Sequence, residues 1–190
     1  MVAAERTQTM TAEAFFAFAS LPENRDRMLE LEDGEIVEMA PVRNINSIVG
    51  MRAGYFVSAH VYANDLGFVT GADGGYRIGH KTIRQPDVGF ISKARAGKLN
   101  EVGFAVAPDL AVEVVSPDED VLKKAREYLG AGTQMVWALY AEEKIVLVIT
   151  RKPDGGYDVR ELGIDDTLDG GDVLPGFALP IKQLFPQENT

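Results

Sequence analysis

Residues 108–119 read Pro108-Asp109-Leu110-Ala111-Val112-Glu113-Val114-Val115-Ser116-Pro117-Asp118-Glu119. The run 109–115 is rich in β-branched residues, as a buried strand is. Ser116 with Glu119 three positions later has the form of a capping box. Pro117 takes the first helical position, and acids fill the first turn. A helix is therefore expected to open at Ser116 and run to about Gly130 or Gly132. A buried strand feeding a helix, with further strands on either side, points to a mixed α/β or α+β domain around one central sheet.

The rest of the chain supplies those strands and helices. Residues 86–91 (Pro86-Asp-Val-Gly-Phe-Ile91) read as a second buried strand, and Leu66–Val69 and Gly74–Ile78 as short ones. Met135–Tyr140 and Lys144–Thr150 read as a strand pair turned at 141–143, with Pro153-Asp-Gly-Gly marking a turn into Tyr157–Arg160. Apolar residues at spacings of three and four from Ile45 to Val61 predict an amphipathic helix over 45–65. Near the N-terminus, Thr11–Ala19 reads as a short helix. Asp33-Gly34 between the alternating runs 27–32 and 35–39 reads as a hairpin, because both turn positions favour positive φ. The tail, Leu174-Pro-Gly-Phe-Ala-Leu-Pro180, ends in a short docked segment at Leu184-Phe185.

Composition narrows the chemistry. The 190 residues contain no cysteine and two histidines, His60 and His80. That excludes disulfides, thiolate zinc, iron–sulfur clusters and a cysteine nucleophile, and leaves only oxygen-rich metal sites suited to Mg2+, Mn2+ or Ca2+. Nothing resembles a spanning helix or a signal peptide, so a cytoplasmic protein without membrane contact is expected. The net charge is −10 and uneven: residues 1–95 carry 10 basic and 12 acidic residues, residues 96–190 carry 9 and 17. A surplus of acid opposes nucleic-acid binding. Yet residues 77–95 hold Arg77, Lys81, Arg84, Lys93 and Arg95 against the single acid Asp87. This basic band is either a phosphate-contacting face or a solvated pair of loops.

Three residues are candidates for catalysis: Asp87, Glu113 and Lys124. Each acid lies in an otherwise apolar strand, a costly place for a carboxylate unless it is paired or binds a metal. Each has a small residue, Gly89 or Ala111, two positions away on its own face, which leaves room for an ion or a substrate. On the following helix, Lys123 has only charged neighbours at three and four positions. Lys124 instead borders the apolar stripe through Val121 and Tyr128. Two carboxylates and a lysine suit metal-assisted phosphodiester hydrolysis. They equally suit a structural ion-pair network.

The motifs Arg84-Gln-Pro86-Asp87-Val-Gly-Phe, Pro108-Asp-Leu-Ala-Val-Glu113-Val-Val-Ser116-Pro117 and Lys124-Ala-Arg-Glu-Tyr128-Leu-Gly-Ala-Gly132 resemble the putative restriction endonuclease family common in cyanobacteria, within the PD-(D/E)xK nuclease superfamily. Glu30–Pro41, Trp137 and the Leu174–Pro180 run extend the resemblance to roughly residues 10–185 of a single 1–190 domain. It implies a restriction-endonuclease-like core, a mixed central sheet flanked by helices, preceded by an N-terminal helix and β-hairpin. It also implies a Mg2+-dependent (or Mn2+-dependent) endonuclease acting on DNA. Asp87 and Glu113 become the metal carboxylates. Val115 stands where the superfamily lysine is expected, and Lys124 from the next helix takes its role. Glu30 or Glu35 becomes a further ligand, and Asn46 stands where the family often has histidine.

Two other functions remain open. One is a catalytically inactive nuclease-fold protein working through protein–protein contacts. The other is a metal-dependent hydrolase of a small phosphorylated substrate. Residues 45–65 and 135–150 offer apolar surface for a homodimer, as two-strand cleavage favours. DNA binding at −10 is expected to be weak and salt-sensitive. Glu30, Glu32, Glu35 and Glu38 read as a solvated hairpin face, His60 as a core or interface histidine, Trp137 as core, and Gly71–Tyr76 as a plain turn.

Overall fold

The computed structural model describes residues 9–117 and 119–186. In chain order the elements are α1 (Ala12–Ala19), β1 (Leu29–Glu32), β2 (Glu35–Glu38), α2 (Asn44–Ala63), β3 (Gly67–Thr70), β4 (Tyr76–Gly79), β5 (Thr82–Arg84), β6 (Val88–Ser92) and β7 (Leu110–Val114). They continue with α3 (Val121–Gly130), β8 (Met135–Tyr140), β9 (Ile145–Arg151), β10 (Tyr157–Leu162), β11 (Thr167–Asp169) and β12 (Ala178–Pro180).

The central sheet has six strands in the order β10-β9-β8-β7-β6-β3. Only β7 and β8 run parallel, joined by α3 as their crossover; every other neighbouring pair is antiparallel. Alternation along each strand sends side chains to opposite faces. Val88, Phe90, Val112 and Trp137 face α2, which answers with Val49, Ala53, Val57 and Val61 at every fourth position. Leu168, Leu179 and Leu184 of the C-terminal segment fill out the same layer. On the other face, Ala111, Val136 and Ile149 receive Ala125, Tyr128 and Leu129 of α3. The fold is thus a mixed α/β sheet with a helix on each face. Each fully buried Val or Leu contributes about 1.5–3 kcal/mol.

A second sheet, β2-β1-β5-β4, packs α1 through Ala12 and Phe15 on Leu29, Leu31 and Ile83. Its hairpin turn has Asp33 at φ 48° and Gly34 at φ 90°, the two positive values such a tight turn requires. The hairpin acids do not form a uniformly solvated face. β2 is exposed, but β1 lies between β2 and β5, and Glu30 is 1% exposed.

The start of α3 departs from expectation. The Ser116 N–H does donate to Glu119 Oε2 at 3.1 Å, and the Glu119 N–H reaches the Ser116 carbonyl. These bonds close a turn, not a helix. Asp120 follows with non-helical angles, and its side chain accepts from the Lys123 N–H at 2.9 Å, so the helix is capped there and begins at Val121. Asp118, counted among the first-turn acids, lies outside the described residues.

Candidate functional site

Glu113 is the fourth residue of β7 and points to the α3 face, where it is 3% exposed. Two residues of α3, one turn apart, meet its two oxygens. Lys124 Nζ lies 3.3 Å from Oε2, and the Tyr128 hydroxyl donates to Oε1 at 2.8 Å. Lys124 also pairs with Glu119, and its side chain is 12% exposed; Lys123 is 48% exposed and reaches Glu32 instead.

Asp87 sits just before β6. Its Oδ2 accepts the backbone N–H of Val114 at 2.7 Å, which brings the acid to the end of β7 beside Glu113. The room expected beside it is filled: a Cβ at Gly89 would lie 2.6 Å from the Tyr76 hydroxyl, whose ring occupies that face. Ala111, beside Glu113, is likewise covered by α3. Space opens instead on the α2 side of Asp87. A groove of about 430 Å³ runs between α2 and β3 past Gly50, Gly54 and Thr70 to Asp87. A second, of about 320 Å³, leads from Asp87 toward Gln85, Met28 and Pro41. A third, of about 340 Å³, reaches Glu119 past Asn46 and Ser116.

Glu113 and Glu119 contact the Lys124 ammonium, and Asp87 lies near enough to feel its charge. Burial pushes the Glu113 carboxyl up to about 8; Asp87 and Glu119 add to the rise, while Lys124 and Tyr128 oppose it. Burial also raises Asp87, against the pull of the Val114 N–H and Lys124. For Lys124, burial works against the charge, but Glu113, Glu30 and Glu119 outweigh it and hold the ammonium above its ordinary range. Lys124 is therefore a cation and a donor here.

Among the described residues no three Asp, Glu, His or Cys side chains converge as a metal cage. The oxygen donors present still suit a hard cation. Mg2+ characteristically takes one or two carboxylates and keeps several waters. Asp87 and Glu113 supply two carboxyl groups, of which Glu113 must give up its proton to bind an ion. Glu30 has both oxygens engaged, Oε2 by Arg84 at 2.9 Å and Oε1 by the Gln85 N–H at 2.7 Å. Glu35 is exposed on the edge strand β2, opposite Glu32.

Asn46 is buried on α2 and donates to the Val115 carbonyl at 3.3 Å, with Ser116 Oγ at 3.4 Å. The basic band is largely spent on internal pairs. Arg77 reaches Glu13, Lys93 reaches Asp65, Arg95 reaches Asp109, and Lys81 reaches the Thr9 hydroxyl. Arg84 is 2% exposed and forks between Glu30 and Glu127, with Glu32 at 3.3 Å. His60 meets the Pro175 carbonyl at 3.1 Å and Phe177 edge-on, and Trp137 is core. Gly71 opens a turn closed by the Gly74 N–H.

Three participants escaped the sequence reading: Tyr128, Glu119 and Arg84. Tyr128 carried a usable signal, since it lies four residues after Lys124 and shares its helix face.

A family model described as Uma2, putative restriction endonuclease, matches residues 13–182. The chain is also similar to the crystal structure of a putative nuclease belonging to DUF820 from Anabaena variabilis. Identity is 22% and the TM-score 0.74, over 92% of this chain and 97% of that one. No curated protein matches. No helix among the described residues is long and apolar enough to cross a membrane.

Proposed function

The chain belongs to the Uma2 family of putative restriction endonucleases, and from that premise we propose that it is a metal-dependent endonuclease with a PD-(D/E)xK core, hydrolysing DNA phosphodiester bonds. The observation that carries this reading is the contact between Glu113 and Lys124 at the end of β7, with Asp87 held beside them by the Val114 N–H. A strand acid, a second acid on the neighbouring strand and an amine from the next helix are the groups the reaction needs. Asp87 and Glu113 would hold Mg2+ or Mn2+. When bound, such a cation supplies a Lewis acid for the phosphate and lowers the pKa of a water. Lys124 has three N–H donors. Two are directed at Glu113 and Glu119, which leaves one to orient the attacking water or meet a phosphate oxygen. Held protonated, Lys124 stabilises developing negative charge and does not act as the base. Cleavage of both strands would need two copies, and exposed Ile48, Met51 and Tyr55 on α2 are the surface proposed for the second.

The internal pairing of the basic band favours a second reading, a hydrolase of small phosphodiesters that need no long cationic track.

The test is plasmid cleavage with Mg2+ or Mn2+ by wild type beside Asp87→Ala and Lys124→Ala. Metal-dependent nicking lost in both variants is the expected result. Cleavage that survives both is contamination and overturns the reading. Turnover of a chromogenic phosphodiester without DNA cleavage moves the assignment to the second reading. Inactivity on DNA, RNA and the chromogenic substrate leaves a non-catalytic protein acting through protein–protein contacts.

A further inference from the structure

α3 buries Ala125, Tyr128 and Leu129 against Ala111, Val136 and Ile149. A phenylalanine would fill that apolar layer as well as a tyrosine. Tyr128 is nonetheless 0% exposed, and a buried hydroxyl needs a partner. Its partner is Glu113 Oε1, at 2.8 Å. Lys124, one helical turn earlier on the same face, takes Oε2 at 3.3 Å. Two residues spaced by four thus hold the two oxygens of one carboxylate from a single rigid helix.

We propose that Tyr128 is a positioning residue of the candidate metal centre: its hydroxyl fixes the plane of the Glu113 carboxylate and leaves Oε2 to Lys124 and a divalent cation. The inference deepens the proposed function and rests on Glu113 being a ligand there. Without the hydroxyl, Glu113 keeps its place on β7 but its side chain is held at one oxygen only. The carboxylate then turns toward Lys124, and a cation must reorganise it before binding.

The test is Tyr128→Phe, which keeps the ring and its packing, with Tyr128→Leu as the packing control. Mn2+ binding is titrated by electron paramagnetic resonance, and the Lys124 ammonium is followed by 1H–15N NMR in the metal-free protein. Tyr128→Phe should unfold cooperatively, shift the Lys124 ammonium signal and bind Mn2+ about tenfold or more weakly, the scale of one hydrogen bond to a charged group. Tyr128→Leu, measured where it is folded, should match that affinity while unfolding at a lower temperature. Equal Mn2+ affinity for Tyr128→Phe and wild type overturns the positioning role and leaves the nuclease reading standing. Absence of Mn2+ binding by wild type overturns both.

Discussion

Asp87 Oδ2 accepts the backbone N–H of Val114 at 2.7 Å; Asp87 is one residue before Val88 and Val114 two residues after Val112, the last pair of the β6–β7 ladder. A side-chain oxygen thereby takes the next N–H of β7 beyond the ladder. The substitutions Asp87→Asn and Asp87→Ala should separate this structural role from metal binding. Asparagine keeps an acceptor and should fold with near wild-type stability, yet lose divalent-cation binding. Alanine leaves the Val114 N–H unpaired and should cost about 1–3 kcal/mol in urea unfolding. Equal stability of the two variants would show that the bond contributes nothing.

Glu113 gives a pH signature. Its carboxyl titrates near 8 in the folded protein against an ordinary value of 4.5. The folded form holds the proton more tightly, so this contribution to stability is complete below pH 4.5 and is lost as pH rises through about 8. Metal-free wild type should lose stability relative to Glu113→Gln across that window, by on the order of a few kcal/mol. Mn2+ affinity should move the opposite way, rising with pH until Glu113 is ionised. Thermal unfolding of both proteins at several pH values, with and without Mn2+, reads both trends. A difference that stays flat with pH contradicts the assignment.

Arg84 should dominate local stability. It is 2% exposed and joins β5 to Glu30 on β1 and Glu127 on α3. Arg84→Met strands the buried Glu30 charge and should cost about 3–5 kcal/mol. Arg84→Lys keeps the charge but not the fork, and should fall between methionine and wild type. Urea midpoints measure the series; a loss for Arg84→Met of less than about 1 kcal/mol would place the network with ordinary surface pairs.

Lys124→Met should uncouple binding from turnover. Removing the one ammonium among three acids should leave Mn2+ affinity unchanged or tighter. Cleavage should fall about a hundredfold or more, because the donor that orients water and meets developing charge is gone. Parallel Mn2+ titration and plasmid nicking check this. Loss of binding and cleavage together would make Lys124 a scaffold for Glu113 alone.

Local chemistry was the most legible part of the chain. The Asp33-Gly34 hairpin, the α2 helix and the inward side of Lys124 all follow from neighbours within a few residues. The capping box at Ser116 was half legible: the Glu119 side chain does accept the Ser116 N–H, but Asp120 takes the role of cap, and sequence spacing does not rank two candidate caps four residues apart. The room beside Gly89 was misjudged because Tyr76 comes from a different sheet. Arg84 was hidden for the same reason, since its acids at positions 30 and 127 lie 54 and 43 residues away. Composition alone made it look like part of a basic surface.

The pairing of Arg77, Lys93 and Arg95 with acids has a kinetic consequence. Opposite charges in contact cancel at short range. At separations beyond contact but within the screening length, about 8 Å at physiological salt, the molecule presents the field of its net charge of −10. A polyanion diffusing toward it is repelled until close approach. Added salt, which slows the encounter of basic proteins with nucleic acid, would therefore quicken this one.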